Sequence, residues 1–232
     1  MYKQPVSQHA NYRQSMGKLL MLYTQVDRLI MEICAQRLAE APDEEAELSL
    51  AKQVGDESRH VSIQRQWLLH FDADPTPIIT PEQEQMVREH FRSLPWIDFL
   101  ADLYICVEAL GSEAVERIVP LADHGTRESL RIPLADELDH VAFGISRLRK
   151  ELARLSKAER QTFLKRLPAR IESLTNAFHG FGVPVRRLFE AVGADYDRLC
   201  QLLEERQQEL IAELAFGMQP SPPARVASDV ST

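Results

Sequence analysis

Asp56-Glu57-Ser58-Arg59-His60 and Asp136-Glu137-Leu138-Asp139-His140 are two copies of one pattern, Asp-Glu-x-x-His, set far apart in a chain of 232 residues. Each falls in a run whose apolar residues recur at helical spacing. Leu50, Val54, Val61 and Leu68 surround the first copy, and Leu134, Val141, Leu148 and Leu152 the second. Residues three apart on a helix project from nearly one face, so Glu57 and His60 reach one point and Glu137 and His140 another. A carboxylate can end on one metal ion or bridge two, and a neutral imidazole supplies a directional nitrogen. The two motifs are therefore read as the halves of a site for a pair of metal ions.

A two-metal site inside a four-helix bundle takes one further acid from each of the other two helices. Glu108 lies 29 residues before Glu137, and Asp27 lies 30 before Glu57. Asp27 falls in the stripe Leu20, Tyr23, Ile30, Cys34, and Glu108 in the stripe Ala101, Tyr104, Gly111, Val115. Glu32 is the rival for the first acid, about 140° further round the helix. The expected ligands are Asp27, Glu57, His60, Glu108, Glu137 and His140, with Glu57, Glu108 and Glu137 as the acids closest to the chemistry. Burying unpaired carboxylates in an apolar core carries a large desolvation cost, which metal ions would offset.

The repeat extends beyond its ligands. Tyr23 and Tyr104 each stand four residues before an upstream acid, where a hydrogen bond near the site or plain packing is favoured over radical storage. Asp56 and Asp136 precede the motif glutamates and, across an antiparallel bundle, can each orient the histidine of the other helix pair. Gly111 and Gly144 occupy places held by Ile30 and Gln64 in the first half. They either leave an access pocket beside the third and fourth helices or let two helices pack closely.

The rest of the chain sets the frame. A 44% hydrophobic content suits one large helical domain over 11–216, preceded by a flexible stretch over 1–10 and followed by a disordered tail over 217–232. Helices are expected over about 12–40, 44–70, 95–122, from Gly125 onward, 157–178 and 195–216, with a shorter one after Pro81. A net charge of -8 opposes a nucleic-acid surface, and neither a membrane span nor a secretory segment is evident. A soluble, cytoplasmic protein is expected. Cys34, Cys106 and Cys200 form no pair motif and read as buried thiols. The segment Arg147 to Arg170 carries nine basic residues against Glu151 and Glu159, a net of +7. It reads as a solvated face or as a dock for an acidic electron-transfer or acyl-carrier protein.

These motifs resemble those of the ferritin-like di-iron carboxylate proteins over roughly residues 12 to 155. The aldehyde-deformylating oxygenases are nearest in pattern, through Glu108-Ala109-Leu110-Gly111, Ile118-Val119-Pro120-Leu121-Ala122-Asp123 and Asp136 to Gly144. The resemblance implies an all-α fold, a ferritin-like four-helix metal-binding core with additional C-terminal helices. It also implies two iron ions held by the six ligands, and reaction with molecular oxygen after external electron supply. An aspartate at 27, where that branch favours glutamate, separates this chain from its particular reaction. Oxygen-rich sites also accept manganese, alone or as a mixed Mn/Fe pair. The expected activity is an oxidase or monooxygenase acting on a small organic or acyl substrate. Ferritin-like iron binding with ferroxidase chemistry, or a non-catalytic helical interaction module, are the alternatives.

Overall fold

The computed structural model describes residues 11–74 and 76–216, and every element among them is helical. The segments 1–10 and 217–232, with His9, lie outside the described residues. Helix α1 (Tyr12–Arg37) and helix α2 (Glu44–Phe71) form the first hairpin. Asp43 caps α2 by accepting from the Ala46 amide, and Asp72 ends it in the left-handed region at φ 51°. Helix α3 (Pro81–Ser93) carries the crossing connection. It opens on a capping box between Thr80 and Gln83 with Pro81 in its first turn.

The third column is not one regular helix, as its apolar periodicity had suggested. α4 (Trp96–Leu100) widens into a π-helical segment, Ala101–Glu108, before regular geometry resumes in α5 (Ala109–Ile118). The Ala109 amide donates five residues back to the Tyr104 carbonyl, which marks the wider turn. Such segments cluster at functional sites, and this one ends on Glu108. Helix α6 (His124–Arg154) starts one residue before Gly125 rather than after it and continues through Pro133. Gly125 sits beneath Trp67, whose indole nitrogen donates to its carbonyl at 2.9 Å. α7 (Lys157–Gly180), α8 (Val185–Ala191) and α9 (Tyr196–Phe216) complete the chain; the short α8 was not expected.

Contacts fix the directions of the columns. Arg13 at the start of α1 donates to the His70 carbonyl at the end of α2, and Trp67 late in α2 meets Gly125 early in α6. Tyr12 and Asp123 join the starts of α1 and α6. α1 and α6 thus run one way, and α2 runs against both. Apolar side chains form two clusters along this bundle. One is built on Leu29, Ile33, Leu50, Phe99, Leu103 and Leu148, the other on Met16, Leu20, Leu68, Ile118 and Leu130. Asp27, Glu57, His60, Glu108 and His140 are buried at sequence positions between them, as a polar layer in an apolar column.

The two glycines singled out in the sequence do different things. A Cβ at Gly144 would stand 2.0 Å from Tyr104 Cγ, whereas one at Gly111 would meet nothing within 4 Å. Gly144 therefore serves close packing against Tyr104. Gly144→Ala is expected to lose about 1–3 kcal/mol of stability through overpacking. Gly111→Ala should be neutral or gain up to about 1 kcal/mol from helix propensity. Urea unfolding of both variants checks the contrast.

Candidate metal centre

Four columns converge on the polar layer, and Glu57 is at its middle with 0% exposure. His60 presents Nδ1 to Glu57 Oε2 at 3.2 Å, and His140 presents Nδ1 to Glu57 Oε1 at 3.4 Å. The outer nitrogens are taken by the crossed aspartates. His60 Nε2 lies 2.9 Å from Asp136 Oδ2, and His140 Nε2 lies 3.2 Å from Asp56 Oδ2. Both aspartates are held below the usual carboxylate range: burial alone would raise them, but hydrogen bonds from Lys52 and His140, or from His60 and Arg59, outweigh it. As carboxylates they accept a hydrogen bond from Nε2–H, which turns each Nδ1 lone pair inward. Arg59 ties the arrangement together by pairing with both Asp56 and Asp136.

The two upstream acids are each held by a glutamine of α2. Gln64 Nε2 donates to Asp27 Oδ2 at 2.5 Å, and Gln53 Nε2 donates to Glu108 Oε1 at 2.5 Å. Tyr104 does not meet Glu108 directly; its hydroxyl donates to Gln53 Oε1 at 2.7 Å, so the tyrosine orients the amide that orients the acid. Neither glutamine was assigned a role from sequence. Their signal was present, since Gln53 lies four residues before Glu57 and Gln64 four after His60, on the motif's own face. Glu32 turns away from the centre to pair with Arg88 at 2.8 Å and Arg28 at 3.8 Å, which removes it as a ligand.

Two overlapping groups of donor atoms result, Asp27, Glu57 and His60 in one and Glu57, Glu108, Glu137 and His140 in the other. The atoms of each lie within 4.8 Å of one another. Glu57 belongs to both, with one oxygen toward each histidine. The fit to metal is tested by what lacks a partner: Glu57 Oε1, Glu108 Oε2 and His140 Nδ1 are buried without a hydrogen bond. Such atoms are costly unless a cation or proton sits among them. Four carboxylates and two neutral imidazoles also balance the charge of two divalent ions. Cys34 stays outside this set, since burial and the nearby Glu108, Glu57 and Glu137 push its thiol well up and keep it neutral.

A cavity of about 50 Å³ adjoins the carboxylates, lined by Tyr23, Val26, Asp27, Ile30, Gln64, Glu108, Gly111 and Glu137 among others. The exposed Gly111 stands at its rim, and Gly144 is not part of it. Where Gln64 follows His60 in the first half, the second half has Gly144 with the Tyr104 ring laid over it. The cavity therefore belongs to the Tyr23 side alone. A larger hollow of about 570 Å³ lies behind the π-helical segment, between α3 and α7, away from the carboxylates.

Part of the basic segment is engaged within the chain. Arg147 is 1% exposed and pairs with Asp43 and Glu151; Arg149 meets Glu213, Lys150 meets Glu45, and Arg154 meets Glu151. Arg166 and Arg170 hold Asp98 and Asp102 at the root of the π-helical segment. Five of the nine cations thus fasten helices to one another, Arg154 pairs within α6, and Lys150, Arg154, Lys157, Arg160, Lys165 and Arg166 keep an exposed face. Among the described residues, no helix is long and apolar enough to cross a membrane. The sequence matches no protein-family model and no curated protein.

Burial, opposed by His60 and Gln64, lifts Asp27 to about 6, and burial with the charges of Glu57 and Asp27 lifts Glu108 to about 8. Glu57 and Glu137 are pushed well up, mainly by burial. Acids raised in this way hold protons more tightly folded than unfolded. Their stabilising contribution is full below about pH 4 and is lost as pH rises through about 6 and about 8. The metal-free chain should melt at a lower temperature near about pH 8.5 than near about pH 5.5, and Glu108→Gln should flatten the difference. Thermal melts across that range provide the check.

Proposed function

We propose that the chain is an oxygen-dependent di-iron oxidase or monooxygenase of the ferritin-like carboxylate type, acting on a small organic substrate. The observation that carries this reading is Glu57 set between two inward-facing imidazoles whose outer nitrogens are each held by an aspartate. A site built only for stability would favour apolar packing over orphaned acids. Bound iron, replenished by an external reductant, would supply the electrons that molecular oxygen needs. The oxygen and nitrogen donors suit manganese or a mixed Mn/Fe pair as well.

The protein's own groups divide the remaining work. Gln64 and Gln53 each occupy one oxygen of an upstream acid, which leaves Asp27 and Glu108 a single oxygen apiece for a metal. Glu57, which belongs to both donor groups, would help to hold both ions. Asp56 and Asp136 fix the tautomer and direction of the histidines. Val26, Ile30, Val107, Val115 and Leu134 give the adjoining cavity apolar walls that limit water beside the carboxylates. Its small volume favours oxygen and a narrow substrate over a long acyl chain in this conformation.

Reconstitution with iron under anaerobic conditions should load close to two ions per chain, and oxygen uptake should then require a reductant. Retention of no metal would point to an interaction module, and heavy loading in a multimeric shell to iron storage. Gly111→Leu should retain both ions while losing most substrate-dependent oxygen uptake, because Gly111 lines the cavity and has open space for a bulkier side chain. Unchanged turnover and substrate range in that variant would count against the cavity as the place of reaction.

A further inference from the structure

Two buried polar atoms at the cavity side of the centre have no partner. Tyr23 Oη and Gln64 Oε1 are both shielded from solvent without a hydrogen bond, and both residues line the cavity beside Asp27. Leaving either unpaired is costly, because the buried atom has given up its bonds to water. Their hydrogen-bonding characters differ. Gln64 spends its amide nitrogen on Asp27 Oδ2, so the atom left over is an acceptor; reversing the amide would set oxygen against oxygen. Tyr23 can donate its phenolic proton. The rest of the lining is mainly apolar and includes Val26, Ile30, Val107, Val115 and Leu134.

We propose that this cavity recognises the hydroxyl end of a small alcohol, which donates to Gln64 Oε1 and accepts from Tyr23 Oη. A carbonyl accepts but cannot donate, and a hydrocarbon does neither, so an aldehyde or ketone of equal size leaves Gln64 unpaired. A protonated amine can donate to both oxygens but cannot accept, and leaves the Tyr23 proton without an acceptor. At about 10–15 Å³ per water-sized probe, the volume of about 50 Å³ accommodates about four such atoms, the scale of a short alcohol. The inference depends on the proposed function only in placing the substrate in this cavity; recognition itself requires Tyr23 and Gln64, not metal.

The test compares 2-propanol with acetone, which share size and shape but differ by the donor, using saturation-transfer NMR titrations. They are run on the metal-free full chain and on the chain loaded with zinc. About tenfold or greater preference for 2-propanol is expected, the effect of about one hydrogen bond. Tyr23→Phe, a conservative change, should weaken both probes about tenfold and leave the preference in place, since both accept from the phenol, whereas Gln64→Leu should abolish the preference. Equal binding of the two probes, binding of neither, a preference that survives Gln64→Leu, or unchanged affinities in Tyr23→Phe would overturn the proposal; binding of neither would mean that ordered water alone satisfies the two atoms. Zinc content is measured separately. Alcohol preference without metal uptake would sink the di-iron reading and leave this one standing, while two zinc ions without preference would do the reverse.

Discussion

The structure depends on keeping four carboxyl groups and two imidazoles out of water in the middle of an apolar bundle. Isolated, each of those acids would cost several kcal/mol to bury as an anion. The surrounding residues reduce that cost in layers. Gln53 and Gln64 cover one oxygen of each upstream acid, Asp56 and Asp136 take the outer faces of the imidazoles, and Arg59 and Lys52 balance those aspartates at the bundle surface. What remains uncompensated is confined to a few inward-facing atoms around Glu57. The proposed metal pair completes that set.

The same economy governs charge elsewhere. The positive run after Arg147 serves α6 and α7 as a set of fasteners to α2, α9 and the π-helical segment. Asp43 illustrates the overlap of tasks, since it caps α2 and also receives the buried Arg147. Fastening Asp98 and Asp102 from α7 anchors the segment that delivers Tyr104 and Glu108 to the centre. The C-terminal helices thereby contribute to the site without lending it a ligand.

Legibility from sequence followed how local each feature is. Glu57, His60, Glu137 and His140 stood out because a three-residue spacing on a helix is decided within one turn. Asp27 and Glu108 could be found by counting back one hairpin, and their placement among apolar neighbours distinguished Asp27 from Glu32. Gln53 and Gln64 went unassigned because a glutamine is uninformative until the partner of its amide is known. The π-helical segment left no mark in the apolar stripe, since Ala101 to Glu108 is apolar on nearly every side. Gly111 and Gly144 looked equivalent on paper, and only the ring of Tyr104 told them apart. Gly125 and Pro133 both lie inside α6, where contacts with neighbouring columns outweigh their poor helix propensity.

The crossed pairing of His60 with Asp136 and of His140 with Asp56 has the form of a self-complementary interface: position i meets position j, and j meets i. That is the signature of a twofold axis, although here both sides belong to one polypeptide. Each helical hairpin supplies the acid that the other hairpin's histidine requires, so neither could orient its own imidazole in isolation. The chain thus carries within itself the contact surface of a symmetric dimer of hairpins. Joining the halves covalently removes the need for identity between them, and Asp27, Gln64 and Gly144 mark where the two have been free to diverge.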